Sequence, residues 1–168
     1  MKRRDFLKNI GVAGLATFLA SSPWISALSE SEHTQKEKIR LAIIGAGSRA
    51  RHLSRFLTQN PKVEIAVLCD IYQPSIDSTL KLVPGAKVCM DYRKVLDDKS
   101  IDAVVIATPL NSHYPIAMDA FDAGKHVFCE KTIGFTLEEC FNMYQKHRQT
   151  GLIFFTGQQP IKEIDYEC

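Results

Sequence analysis

The sequence predicts an α/β fold in which a doubly wound, mostly parallel sheet carries helices on both faces. Short apolar runs rich in valine and isoleucine alternate with longer segments of helical period. The runs are almost continuously hydrophobic, as strands buried on both faces require. A length of 168 residues with 45% hydrophobic content suits one such domain. The six predicted strands are Ile39 to Ile44, Val63 to Cys69, Ala86 to Cys89, Ala103 to Ile106, His126 to Cys129 and Ile153 to Thr156.

Helix signals occupy the segments between the strands. Asn60-Pro61 ends the first helix, whose apolar face is Ala50, Leu53 and Leu57. Pro74 can open the second helix, where its missing N–H has no partner in any case. The last helix begins at a capping box of Thr136 and Glu139 and stops at Gly151. Its apolar positions are Leu137, Cys140, Phe141 and Tyr144, and its polar side is Glu138, Asn142, Gln145 and Arg148.

The N-terminal segment is predicted to be an export signal over residues 1–28, followed by a linker over 29–38. Lys2-Arg3-Arg4 precedes an apolar run, Ile10 to Ala20, that is too short for a bilayer-spanning helix of about 20 residues. The paired arginines resemble a twin-arginine signal, which implies the twin-arginine export machinery as a partner. The protein is therefore expected to be exported, either periplasmic or membrane-anchored facing the periplasm. The alternative is a basic N-terminal tail.

Charge and cysteine content exclude some functions. The formal net charge of +2 comes from the first 28 residues, where four basic residues face one aspartate, which leaves about −1 for the rest. Such a body carries no electrostatic footprint for nucleic acid, so no nucleic-acid partner is expected. The cysteines have no metal-ligand spacing, and no metal site is predicted. Four of them are interpreted as core residues: Cys69, Cys89, Cys129 and Cys140.

A glycine-rich turn directly follows the first predicted strand and opens a helix, the context in which such turns bind dinucleotides. The first glycine allows a tight turn, and the second lets the backbone approach a pyrophosphate. A small residue at the sixth position allows close packing of helix on strand, and the helix N–H groups face the phosphates. A Rossmann-like cofactor site is predicted, with ordinary turn glycines as the alternative. The turn is Gly45-Ala46-Gly47-Ser48-Arg49-Ala50.

Asp70, at the end of the second predicted strand, is the second cofactor-binding candidate. A carboxylate there can accept hydrogen bonds from the adenosine ribose and repel a 2′-phosphate. NAD is therefore the predicted cofactor and NADP is disfavoured, although Arg49 and Arg51 lie nearby in sequence. Alternatively, Asp70 only caps a loop.

Two further segments complete a family resemblance. They are Ala107-Thr108-Pro109-Leu110-Asn111-Ser112-His113 and Gly124-Lys125-His126-Val127-Phe128-Cys129-Glu130-Lys131. With the glycine turn, they resemble the glucose-fructose oxidoreductase and inositol dehydrogenase family, NAD(P)-dependent enzymes that act mainly on sugars and polyols. The resemblance predicts a dinucleotide-binding domain over residues 39–159.

The resemblance also implies roles for particular residues. Glu130 and Lys131 should lie near the nicotinamide, where Lys131 is the catalytic candidate that orients a substrate hydroxyl or stabilises alkoxide charge. The family usually has proline after this pair, whereas this chain has Thr132. Four other residues should lie along the cofactor: Thr108, Pro109, Asn111 and His113.

Three functions remain open. The first is an exported oxidoreductase of sugars or polyols, which the Glu130-Lys131 pair favours. The second is a related glycosidase that uses NAD for transient oxidation and elimination. The third is a nucleotide-binding fragment without turnover, because family members continue into a second α/β domain that is expected to be absent here. Residues 160–168 do not resemble the family and are interpreted as an atypical C-terminal tail. Full-length members are expected to form homo-oligomers.

Overall fold

The computed structural model describes residues 38–157, which form a six-stranded sheet flanked by helices. The predicted export signal, nearly all of the linker and the C-terminal tail lie outside the described residues. The strands are β1 Ile39–Ile44, β2 Val63–Cys69, β3 Lys87–Cys89, β4 Ala103–Ile106, β5 His126–Cys129 and β6 Phe154–Thr156. The helices are α1 Ser48–Leu57, α2 Gln73–Leu80, α3 Tyr92–Asp97, α4 His113–Asp122 and α5 Leu137–Thr150, with a 3₁₀ turn at Leu110–Ser112.

All strand pairs are parallel, in the spatial order β3-β2-β1-β4-β5-β6. The chain builds outward from β1 through β2 to β3, then returns to the other side of β1 with β4. The order therefore reverses between β1 and β4. Loops that leave the carboxyl ends of these two strands diverge and open a crevice, where ligands bind in sheets of this kind.

Helices cover both faces of the sheet, as predicted. Alternate residues of β1 enter opposite cores: Ala42 and Ile44 pack in the cluster that includes residues of α3, α4 and α5. Leu41 and Ile43 pack with residues of α1 and the segment that follows α2. The six predicted strands are confirmed, and only β3 and β6 begin one residue later than expected.

Helix α5 begins and ends as predicted but buries a different face. The Thr136 hydroxyl accepts from the N–H of Glu139, whose carboxylate accepts from the N–H of Thr136, and Gly151 follows the helix with φ +68°. Met143, rather than the apolar stripe of the sequence, is fully buried. Leu137 is 89% exposed and Phe141 60% exposed, because the helix turns its Met143 side toward the core.

Among residues 38–157, no helix is both long and apolar enough to cross a membrane. In the same range, no group of three or more histidine, cysteine, aspartate or glutamate side chains could hold a metal ion.

Candidate functional site

A cleft of about 790 Å³ lies at the carboxyl ends of β1, β2 and β4. The glycine turn forms one wall, the end of β2 another, and the loop after β4 a third. The predicted cofactor-binding residues that line it are Gly45, Gly47, Ser48, Arg49, Asp70, Thr108, Pro109 and Asn111. The topology therefore gathers into one crevice residues that lie more than 60 positions apart in sequence.

Gly45 occupies a position that no other residue can fill. Its φ is +90°, in the left-handed region. A Cβ atom built on it would lie 2.6 Å from the carbonyl carbon of Ala107. The first glycine of the turn thus permits the close approach of the loops after β1 and β4.

Gly47 has open space where a side chain would be. A Cβ atom built on it would meet nothing within 4 Å, and its φ of −72° is ordinary. This residue is also the N-cap of α1, which has no side-chain cap and no acidic residue in its first turn. The free N–H groups of this helix end and the space beside Gly47 suit a pyrophosphate.

Ala46 and Ala50 are fully buried and shape the turn from behind. The N–H of Ala46 donates to Asp70 Oδ2 at 2.6 Å, and its carbonyl accepts from the buried hydroxyl of Thr79 at 2.6 Å. Ala50 packs in the apolar cluster beneath the turn. Neither alanine lines the cleft, so their contribution to cofactor binding is the conformation of the backbone.

Thr108 has a hydroxyl group with unsatisfied hydrogen-bonding capacity. Its Oγ1 is buried and has no hydrogen-bond partner among the described residues, although it lines the cleft. A buried unpaired hydroxyl is costly unless something else satisfies it. The hydroxyl and phosphate groups of a dinucleotide would supply partners, so this residue fits the predicted cofactor.

A second cleft of about 290 Å³ adjoins the first on the β5 side and shares Arg49, Ala107 and Thr108 with it. Glu130 and Lys131, which follow β5, line this cleft. Glu130 is 4% exposed, and its Oε1 accepts from Arg49 Nε at 2.6 Å. Lys131 is exposed, and its ammonium has no partner within residues 38–157. The peptide between Lys131 and Thr132 is cis.

His113 lines the second cleft but is 2% exposed, and its ring holds two loops together. Its Nε2 lies 2.9 Å from the carbonyl oxygen of Thr108, and its Nδ1 lies 2.7 Å from that of Thr132. The ring therefore fixes the backbone on both sides of the cleft, next to the loop that presents Lys131.

Several cleft residues were not predicted. They directly follow β2 and β3. Because the carboxyl ends of parallel strands meet at one edge of the sheet, the topology alone could have indicated them. Among them, Ile71 is 85% exposed. Burial and a hydrogen bond to Asp119 raise the pKa of Tyr92. Its hydroxyl therefore stays neutral and donates to Asp119 Oδ2 beside the first cleft. The additional lining residues on this side are Ile71, Met90, Asp91, Tyr92 and Arg93.

Residues 39–158 match the model of an oxidoreductase family with an NAD-binding Rossmann fold, Gfo/Idh/MocA. The chain belongs to this family. The match spans the whole described sheet and both clefts, so an NAD(P)-binding domain of the oxidoreductase family accounts for the glycine turn and its crevice.

Three proteins that resemble this chain carry different descriptions. A glycosyl hydrolase family 109 protein of Parabacteroides distasonis is 33% identical over 89% of this chain and 36% of its own length. An alpha-N-acetylgalactosaminidase of Shewanella oneidensis is 30% identical over 88% of this chain and 37% of its own. The structure of scyllo-inositol dehydrogenase from Lactobacillus casei with NAD(H) and scyllo-inositol is 28% identical, with a TM-score of 0.65 over 71% of this chain and 36% of that one.

The chain spans about a third of the length of the curated relatives that it matches, from 32% to 37%.

Proposed function

We propose that this domain binds NAD and presents Lys131 to a hydroxyl group of a sugar or polyol for hydride transfer. The observation that carries the proposal is the continuity of the two clefts. Asp70 lies in the first and Lys131 in the second, while Arg49 of the glycine turn and Thr108 line both. A dinucleotide bound across the sheet would extend from one to the other.

The preference for NAD over NADP rests on two charged side chains. Asp70 places a carboxylate at the end of β2, where it would accept from ribose hydroxyls and repel a 2′-phosphate. Arg49, which could have favoured NADP, donates to Glu130 at 2.6 Å and so points toward the other end of the crevice.

Lys131 has the exposure and freedom that a substrate-facing cation requires. Its ammonium has no ion pair within the described range, while its backbone N–H donates to Glu130 Oε2 at 3.3 Å. When bound, NAD supplies the hydride acceptor. The chain contributes a positioned positive charge that orients a hydroxyl and stabilises negative charge as it develops on that oxygen.

A second candidate function is glycoside cleavage that begins with the same hydroxyl oxidation and ends without net cofactor reduction. The relatives named as family 109 glycosyl hydrolases and as an alpha-N-acetylgalactosaminidase favour it. The Glu130-Lys131 pair favours the oxidoreductase.

One assay distinguishes the candidates. The purified chain is mixed with NAD and either a panel of sugars and polyols or p-nitrophenyl α-N-acetylgalactosaminide. Accumulation of NADH that Lys131→Ala lowers about a hundredfold supports the oxidoreductase. Release of nitrophenol without NADH supports the glycosidase. Saturable NAD binding with neither product matches a nucleotide-binding domain without turnover.

Lys62→Ala is the control. Lys62 is exposed and directly precedes β2, so it lies near the amino ends of the strands, whereas the clefts lie at their carboxyl ends. Equal loss in the two lysine variants would contradict the role of Lys131.

We also propose export through the twin-arginine route, which the Lys2-Arg3-Arg4 segment and the apolar run after it support. Cell fractionation tests this. Replacing Arg3 and Arg4 by lysine should retain the protein in the cytoplasm, whereas replacing Lys2 and Lys8 by arginine should not. Equal distribution of the two variants would contradict the proposal.

A further inference from the structure

An ion pair joins the glycine turn to the loop after β5. Arg49 Nε lies 2.6 Å from Glu130 Oε1, across 81 positions of sequence. The Glu130 side chain is only 6% exposed, while that of Arg49 is 38% exposed. Because the carboxylate is withdrawn from water, its charge acts strongly on its surroundings.

The pair belongs to the half of the crevice that lies away from Asp70. Arg49 lines both clefts, and Glu130 lines only the second. The strand order puts Asp70 on the β2 side and Glu130 beyond β4, at the end of β5. If the adenosine lies by Asp70, as the proposed function requires, the nicotinamide end lies by this pair.

Three charges therefore surround the second cleft: the cations Arg49 and Lys131 and the anion Glu130. The oxidised nicotinamide ring carries a positive charge that the reduced ring lacks. Two uncompensated cations would disfavour the oxidised form, and one buried carboxylate removes much of that effect.

We propose that the Arg49–Glu130 ion pair sets the balance between binding of oxidised and reduced nicotinamide, with Glu130 keeping the oxidised cofactor bound beside Lys131. The inference rests on the proposed NAD site and adds an electrostatic role for two residues. Neither residue needs to touch the reacting atoms.

Gly157, which directly follows β6, leaves room for this carboxylate. A Cβ atom built on it would lie 2.9 Å from the carboxyl carbon and both oxygens of Glu130. Gly157 lines the second cleft beside the carboxylate, and any side chain at this position would displace the Glu130 carboxylate from its pair with Arg49.

The test measures the dissociation constants of NAD⁺ and NADH for the full chain and its variants. Glu130→Gln should raise the ratio Kd(NAD⁺)/Kd(NADH) about three- to tenfold, because a partly screened negative charge is lost. Arg49→Gln should lower the ratio by a similar factor. The double variant should return near the wild-type ratio, and Arg55→Gln, which removes an exposed charge from the same helix, should leave it unchanged.

Opposite shifts in the two single variants support the proposal, since a merely structural role would weaken both nucleotides together. Ratios that do not move, or that move in the same direction, overturn it. Should Glu130→Gln fail to fold, the fall expected for the more exposed Arg49→Gln decides alone. Wild-type protein that binds neither nucleotide would overturn the proposed function and this inference with it, whereas normal binding with fixed ratios overturns only the inference.

Discussion

The backbone N–H of Ala46 donates a 2.6 Å hydrogen bond to Oδ2 of Asp70, which joins the glycine turn to the end of β2. The other carboxylate oxygen accepts from the N–H of Tyr72 at 2.9 Å. Asp70 therefore both caps its own loop and holds a negative charge at the edge of the cleft. The two interpretations of this residue from sequence are compatible.

Asp70→Asn should shift cofactor preference toward NADP. The variant keeps the size of the side chain but removes the charge that would repel a 2′-phosphate, so the ratio Kd(NADP⁺)/Kd(NAD⁺) should fall about tenfold. Titration with both nucleotides measures it. The control is Asp97→Asn, an exposed change outside the cleft. An equal ratio in the two variants would count against the proposed cofactor preference.

Thr79→Val should destabilise the backbone conformation of the glycine turn. The buried Thr79 hydroxyl donates to the carbonyl of Ala46 at 2.6 Å, and valine leaves that carbonyl without its partner. We expect the free energy of unfolding to fall by about 1 to 2 kcal/mol, together with weaker NAD binding. Urea denaturation measures the first effect. Ser78→Ala, on the exposed side of the same helix, should change neither quantity, and a matching loss there would refute this role of Thr79.

Lys125→Met should destabilise the loop between α3 and β4. The buried ammonium of Lys125 donates to the carbonyls of Asp98 at 2.7 Å and Ile101 at 2.9 Å. Methionine fills the space but leaves the Ile101 carbonyl unpaired, while the Asp98 carbonyl keeps only the N–H of Ile101 at 3.2 Å, at a cost of about 2 kcal/mol. Denaturation should show this loss, while the exposed Lys94→Met changes stability by less than about 0.5 kcal/mol. Equal effects would show that the carbonyl contacts of Lys125 do not stabilise this loop.

Alkaline pH should destabilise the fold partly through Cys129. Burial, with the charge of Glu130 second, raises the pKa of this thiol from 9.0 to about 12. Since the unfolded thiol ionises first, the stability that Cys129 contributes is complete below pH 9.0 and is lost as pH rises toward 12. Between these limits, Cys129→Ala should reduce the slope of stability against pH by up to about 1.4 kcal/mol per unit.

Cys140→Ala is the comparison for that slope, because Cys140 is only partly buried and raises the pKa of Cys129 less than burial or Glu130 does. If the two alanine variants retain the same slope as the wild-type chain, the neutral thiol of Cys129 does not contribute to the pH dependence.

The sequence was sufficient for the strands and the glycine turn because their signals are local. The run Ile39 to Ile44 is apolar except for Arg40, and the turn that follows it needs its glycines for reasons of backbone geometry alone. The capping box of Thr136 and Glu139 is equally local and is confirmed.

The contacts that tune the site could not be predicted in this way. The Arg49–Glu130 pair and the two carbonyl contacts of His113 join segments whose separation depends on the strand order. The buried face of α5 also depends on tertiary packing, because its apolar stripe is wide enough to offer more than one orientation. Met143 rather than Phe141 meets the core.

Titration of the purified chain with NAD, alongside Gly47→Val and Gly85→Val, tests the central claim most directly. A Cβ atom at either glycine meets nothing within 4 Å, so both variants should fold. Saturable NAD binding by the wild-type chain and by Gly85→Val, with a loss of at least about a hundredfold in Gly47→Val, is the expected result. No saturable binding to the wild-type chain, or equal affinity in all three proteins, would contradict a dinucleotide site at the glycine turn.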